Sequence, residues 1–290
     1  MSMKGEKMLK GWRYYNHAMM PTTAPHEKVD KEAILNGSVW HPDNGKKPLF
    51  VRWTEDFDCG YETEFWYCIC EHKPDLSKLK AKRRYEITKA LKLSTCELVN
   101  PLDYEDELYR LTTESYLDYP KAYRPSVTRE AFHRWMKEWV EAGYFVYLAK
   151  AKADGECMGY CTCLSHGSYV TLVNAKVPHK YEKNNVNAIL VYTACMELLD
   201  EPKYGFKYMN DGARNIMHST NYQSYLVKYH GFRFAYCSLH IEYSLLMKIA
   251  IKAGMIFKPI LEKVKHLNKY IYIYIAILNQ EDIRRSFLNK

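Results

Sequence analysis

Asp211-Gly-Ala-Arg-Asn-Ile-Met-His-Ser-Thr-Asn-Tyr-Gln-Ser-Tyr-Leu-Val-Lys-Tyr-His-Gly-Phe-Arg-Phe234 reads as a strand end, a turn, an amphipathic helix, a glycine stop and a second strand. Tyr222, Tyr225, Leu226 and Tyr229 recur at i, i+3, i+4 and i+7 and so share one apolar helix face. Ser219 or Thr220 can cap the helix start, and Gly231 can end it in a left-handed conformation. Asp211, Arg214, His218, Asn221 and Gln223 crowd the strand-to-helix junction, where α/β folds place their chemistry.

Upstream of this stretch the pattern is regular. Residues 1–36 read as irregular. Strands are expected at 37–40, 48–53 and 64–70, with Asp43-Asn-Gly45 as a turn between the first two. Residues 76–92 form a basic run of good helix formers. Pro101 marks a joint, and helices follow at about 104–118 and 128–142. The second of these carries an apolar stripe of Phe132, Trp135, Met136, Trp139 and Val140, and Gly143 stops it. A meander then covers 144–150, 157–164 and 169–177, with turns at Asp154-Gly155 and His166-Gly167. A helix at about 186–199 and a strand at 205–210 lead into the opening stretch, and a strand at 232–243 leaves it. No internal repeat is evident.

Helix, helix, three antiparallel strands, helix, strand, helix, strand is an order that resembles the GNAT-type N-acyltransferases over residues 101–244. The strand at 64–70 followed by Leu76-Ser-Lys-Leu-Lys-Ala-Lys-Arg-Arg-Tyr-Glu-Ile-Thr-Lys-Ala90 is similar to the join between the two halves of FemABX peptidyltransferases. The resemblance implies an α/β (α+β) GNAT-like acyl-CoA N-acyltransferase fold. Its sheet is mixed, mostly antiparallel and flanked by helices. The expected organisation is a shortened N-terminal β/α subdomain over 1–100, the acyltransferase domain over 101–244 and an amphipathic helical tail over 245–290.

What the resemblance implies about chemistry is specific. The fourth strand of such folds splays from the fifth, here at about residues 174 and 209. Freed main-chain amides then polarise the carbonyl of an activated donor. Asn174, Ala175, Lys176 and Val177 would line that strand. The donor's phosphates would meet the next helix N-terminus, at Lys183, Asn184, Asn185, Val186 and Asn187. The family's phosphate loop, Gln/Arg-x-x-Gly-x-Gly/Ala, places Glu182, Asn185 and Asn187 at its three marked positions, so this loop departs from the pattern. The family's acid tyrosine falls on Val227, so that role does not carry over; Tyr225 and Tyr229 flank the position on other faces of the helix, and Tyr225 is kept as a catalytic candidate. His218, near the helix start, is the candidate base, with a side chain whose ordinary pKa suits proton transfer. It can equally hydrogen-bond the turn. Asp211 is the third catalytic candidate, with a cap or turn role as its alternative. Arg214, Asn221, Tyr222 and Gln223 are the candidate acceptor-binding residues.

The reaction so implied moves an acyl or aminoacyl group from acyl-CoA or aminoacyl-tRNA to an amine by direct attack. The acceptor class is an amino sugar or a cell-envelope precursor. The alternative is a non-catalytic module of the same fold acting at RNA or a membrane surface. No metal is required, and no Walker loop, dinucleotide fingerprint or H-E-x-x-H is present.

Composition agrees with these classes. With 47% hydrophobic residues in 290, the chain can bury a core, and a formal charge of +8 favours an anionic partner. The cations concentrate at Lys78, Lys80, Lys82, Arg83 and Arg84, a candidate tRNA contact, and along 245–265. In the latter, Lys248, Lys252 and Lys258 alternate with Ile249, Met255 and Ile256, and a kink is expected before Pro259. That segment suits either an anionic membrane surface or packing on the protein. Nine cysteines, with no apolar leader before them, fit free thiols in a reducing compartment. The expected setting is cytoplasmic, with the tail packed on the protein as the favoured reading and peripheral contact at the inner membrane face as the alternative. Cys68/Cys70 and Cys161/Cys163 read as small buried hydrophobes. No segment reaches the roughly 20 apolar residues of a spanning helix.

Overall fold

The structure is a computed structural model, and it describes residues 9–42, 45–119, 121, 124–216 and 221–287. The described strands are β1 (Trp12–Tyr15), β2 (Ala18–Pro21), β3 (Phe50–Glu55), β4 (Trp66–Cys70), β5 (Ser94–Val99), β6 (Tyr144–Ala151), β7 (Cys157–Ser165), β8 (Val170–Lys176), β9 (Met209–Ala213), β10 (Arg233–Tyr236) and β11 (Ser238–Tyr243). The helices are α1 (Glu32–Leu35), α2 (Ala81–Leu93), α3 (Glu105–Leu117), α4 (Arg129–Glu141), α5 (Val186–Leu198), α6 (Glu201–Tyr204), α7 (Tyr222–Tyr229), α8 (Leu245–Val264) and α9 (Lys269–Ser286). They build a four-stranded sheet, β1-β2-β3-β11, and a seven-stranded sheet, β10-β4-β9-β8-β7-β6-β5. Pairing is mixed and mostly antiparallel, as expected.

The described residues fall into two compact units, one of 68–212 and 221–233, the other of 9–67, 213–216 and 234–287. In the first, β7 sits at the centre of the meander, and its alternate residues face opposite layers. Tyr160 faces α3, where its hydroxyl meets Thr112 Oγ1 at 2.6 Å in a fully buried pair. Cys161 faces α5, its thiol 4.0 Å from the Leu190 carbonyl. So α3, with α4 beside it, covers one face, and α5, with α2 beside it, covers the other. Cys161, Cys163 and Cys195 are buried in the α5 layer. Thr128 caps α4 by accepting from Ala131 N at 3.2 Å, and Gly143, at φ 70°, ends it.

In the second unit, β3 lies between β2, parallel, and β11, antiparallel. The helices α8 and α9 pack on each other and on β11. Gly254 makes the helix pair close: a Cβ there would sit 2.1 Å from the Tyr274 hydroxyl, which donates to the Ala250 carbonyl. The helix α8 continues through Pro259, where a kink is expected from the sequence.

Several elements differ from the sequence reading. Residues 12–21 form a hairpin rather than irregular chain, because Asn16 and His17 both take positive φ without the usual Asn-Gly signal. Residues 38–40 form a 3₁₀ turn, not a strand. Gly37 is left-handed at φ 78°, and Asn36 Oδ1 accepts from Ser38 N at 2.9 Å. The strand β5 is unheralded, since most of its side chains are exposed or half-exposed and make no apolar run. The strand expected at 205–210 lies at Met209–Ala213, and the one expected at 232–243 is two strands in separate sheets.

Gly159 on β7 is the tightest point of the first unit. A Cβ there would lie 2.7 Å from Val177 Cγ2, 2.9 Å from Val186 Cγ1 and 3.1 Å from the Lys176 carbonyl. Gly159→Ala is expected to cost about 1–3 kcal/mol by overpacking, read as a lower urea midpoint with an unchanged slope. An unaltered midpoint would show that the first turn of α5 is free to shift.

Candidate functional site

The strands β8 and β9 lie side by side but stay in register only at Val170↔Met209 and Thr171↔Asn210. Each has a local reason to leave the other. On β8, pairing with β7 runs Tyr160↔Lys176, Cys161↔Ala175 and Thr162↔Asn174, then jumps to Cys163↔Leu172. Val173 is the extra residue of a β-bulge, which bends the strand. On β9, Asn210 Oδ1 accepts from Gly212 N at 2.8 Å, and Gly212 takes φ 100°, a conformation that glycine adopts without strain. The Gly212 carbonyl accepts from Gln223 Nε2 on α7 at 3.2 Å. Side chains thus satisfy Gly212 where a ladder partner would have done so.

The parting opens a pocket of about 440 Å³. Leu172, Val173, Asn174, Ala175, Lys176 and Val177 supply its β8 wall. Asp211, Tyr222 and Asn187 come from β9, α7 and α5, and Ser115, Asp118 and Tyr119 from the end of α3. The floor is electrostatically unusual. Burial pushes the Asp211 carboxyl up to about 7, against a smaller opposing effect of the hydrogen bond from Gln223. Burial holds the Tyr222 phenol well above its ordinary value, so it keeps its proton at neutral pH. The Tyr222 hydroxyl and Asn174 Oδ1 are buried with no hydrogen-bond partner among the described residues. Unpaired polar atoms of this kind cost free energy unless a ligand or water meets them. Burial also lowers the Lys176 ammonium, which lies 4.9 Å from the Tyr116 ring centre.

The helix α5 follows a 3₁₀ turn at His179–Asn184, and Asn185 enters the helix at φ 59°. Most polar groups of the turn are already committed to partners. His179 N donates to Asp118 Oδ2 at 3.2 Å, and the His179 ring lies 2.9 Å from Glu182. Lys180 pairs with Glu114 at 3.0 Å, and Asn184 Nδ2 meets Met158 Sδ at 3.5 Å. Lys183 is exposed and Val186 fully buried. Of the expected donor-binding residues, Asn174, Ala175, Lys176, Val177 and Asn187 line the pocket. Lys183, Asn184, Asn185 and Val186 do not.

The other expected residues scatter. His218 lies outside the described residues, as do Ser219 and Thr220. Tyr225 does not line the pocket: its ring packs 4.9 Å from His230 and under the Arg83 guanidinium at 5.2 Å. Arg83 thereby turns inward, and also pairs with Glu86 at 2.9 Å, whereas Lys78, Lys80, Lys82 and Arg84 are exposed. Asn221 is exposed at the start of α7 and makes no side-chain cap. Arg214 belongs to the second unit. There it pairs with Glu64 at 2.7 Å, lies 4.7 Å from the Trp66 ring centre and lines another pocket. Ser115, Asp118 and Tyr119 carry no motif in the sequence. They reach the site only because α3 ends beside β8. Among the described residues, no group of His, Cys, Asp and Glu side chains can hold a metal.

No protein-family model matches the chain, and comparison with curated proteins gives no significant match. Solved structures do match. FemX superposes with a TM-score of 0.50 at 13% identity, over 77% of this chain and 81% of that one. The C-terminal domain of an Agrobacterium fabrum protein assigned as a lysylphosphatidylglycerol synthetase gives 0.50 at 13% identity, over 85% and 84%. A conserved Bacteroides thetaiotaomicron protein of unknown function gives 0.50 at 12%, over 77% and 78%. At these identities the likeness is one of architecture. The likeness shows a mixed α+β fold shared with FemX and with that synthetase domain.

Proposed function

We propose that the chain is an N-acyltransferase. It would move an acyl or aminoacyl group from an activated donor to an amine by direct attack, with Asp211 as the base. The supporting observation is that Asp211, with a pKa near 7, sits in the pocket where β8 and β9 part. The donor carbonyl would lie along β8, where main-chain N–H groups beyond Leu172 take up the negative charge of the tetrahedral intermediate. Ionised Asp211 takes the proton from the attacking amine, and its pKa matches the operating pH of such a base. The Tyr222 hydroxyl, kept protonated by burial, supplies a proton donor for the departing group. The intermediate then collapses, forming the amide and breaking the donor's thioester or ester.

Of the two donor classes that the resemblance admits, aminoacyl-tRNA suits this chain better. The turn before α5 carries Glu182, and Lys180 is spent on Glu114, so the cradle that a pyrophosphate needs is short of positive charge. The exposed Lys78, Lys80, Lys82 and Arg84 offer phosphate contacts instead. The acceptor is an amine of the amino-sugar or cell-envelope-precursor class. The lysylphosphatidylglycerol synthetase likeness is compatible with an envelope role. Mass spectrometry of products after incubation with acetyl-CoA, longer acyl-CoAs and a set of charged tRNAs distinguishes the donors. Turnover of an acyl-CoA alone would reverse the preference, and transfer from none of them would end the proposal.

Asp211→Asn is expected to lower kcat/KM by about a hundredfold or more, the usual contribution of a positioned base. The wild-type rate should fall on the acid side of about pH 7, where Asp211 becomes protonated. A profile flat through pH 7, or an Asn variant of normal rate, would remove Asp211 from the mechanism. The same shift makes a stability prediction of definite sign. Asp211 binds its proton more tightly folded than unfolded, so its contribution to stability is lost as pH rises from about 4 to about 7. Asp211→Asn cannot ionise, so its melting temperature should exceed that of the wild type at pH 8 and approach it at pH 4.

A further inference from the structure

The helix α8 shows two apolar faces where a surface helix ordinarily shows one. Its inner face puts Met247, Ile251 and Gly254 against the second unit's core. Its outer face exposes Leu245 (77%), Leu246 (81%), Ile249 (63%), Ile256 (75%), Phe257 (55%) and Ile260 (62%). Positions 245, 249, 256 and 260 follow one another at i, i+4, i+11 and i+15, a single line along the helix, with 246 and 257 beside it. An exposed apolar stripe along a 20-residue helix is unusual for a surface that meets only water.

We propose that this outer face of α8 is a docking surface for an anionic lipid bilayer. Charge complementarity selects the occupant. Lys248 and Lys252 are exposed along one flank of the stripe, Lys263 is exposed at its C-terminal end, and Lys265 and Lys269 follow at the turn into α9. Glu262 is the sole acidic residue of α8. Lys258, by contrast, faces inward and pairs with Asp282 of α9. An apolar line edged by lysines lets the helix lie in the headgroup plane, its leucines and isoleucines among the acyl chains and its ammonium groups on lipid phosphates. A second copy of the chain would bring one lysine-edged stripe against another, and the like charges would repel. No described helix is long and apolar enough to cross a membrane, so α8 lies on the surface rather than through it. Leu267 (71%) and Tyr270 (69%) are also exposed, at the α8–α9 turn.

The test is co-flotation of the full chain with vesicles of phosphatidylcholine, with and without phosphatidylglycerol. The wild type should float with the anionic vesicles, bind the neutral ones far less, and lose binding as salt rises. Ile249→Glu/Phe257→Glu removes apolar contacts and Lys248→Glu/Lys252→Glu reverses two of the flanking charges. All four side chains are exposed, so the fold should survive, as circular dichroism can show. Each double variant should lower partitioning at least about tenfold. Absence of binding to anionic vesicles would overturn the proposal, as would binding that neither variant weakens. A concentration-dependent dimer in light scattering that Ile249→Glu/Phe257→Glu dissolves, without vesicle binding, would assign the face to a second copy instead.

Discussion

The side-chain oxygen of Asn210 takes the N–H of Gly212, and with that hydrogen bond β9 stops being a partner of β8. Parallel strands ordinarily continue their ladder, because a buried N–H or C=O without a partner is costly. Here Asn210 and Gln223 satisfy both polar groups of Gly212 locally. The strand can therefore turn away without leaving its own backbone orphaned. The bulge at Val173 does the matching work on β8. The edge left open there is the feature around which the remaining site residues are arranged.

That arrangement also explains the electrostatics. A carboxylate on a fully solvated turn would titrate as an ordinary aspartate. Asp211 follows Asn210 directly into a pocket walled by β8, α7 and the end of α3, and loses enough water there to titrate near neutrality. The same walls keep the Tyr222 phenol protonated and lower the Lys176 ammonium. One geometric event, the parting of two strands, thus leaves β8 main chain open beside a carboxyl that titrates near neutrality and a hydroxyl that keeps its proton. Stability is given up at this point, as functional sites commonly require.

Much of the scaffold was legible because it rests on local patterns. The stripe of α4, the Asp154-Gly155 hairpin and the Gly231 stop each obey a rule that operates within a few residues. The GNAT resemblance implies that β8 and β9 are neighbours that part at about 174 and 209; they are neighbours, but Met209 is still paired with Val170 and the ladder ends at Thr171↔Asn210. Less legible were features fixed by distant contacts. The turn of β1–β2 uses Asn16-His17, which carries no standard signal. The single apolar run at 232–243 divides between two sheets, and nothing in its composition says where. Within the site, Asp211, Tyr222 and Gln223 could be named from the junction they flank, and the β8 residues from the resemblance. Tyr225 and Arg214 have the right chemistry and stand close in sequence, yet packing on Arg83 and pairing with Glu64 take them elsewhere. Ser115, Asp118 and Tyr119 were invisible, since only the tertiary fold brings the end of α3 to β8.

Residue-resolved hydrogen exchange on the free protein measures the open edge directly. The Val170 amide, bonded to the Tyr208 carbonyl at 3.1 Å, should be strongly protected. The amides between Val173 and Lys176 that do not face β7 should exchange at rates near those of unstructured chain. Uniform protection from Val170 through Lys176 would mean that the two strands remain joined, and the account of the site would fail with it.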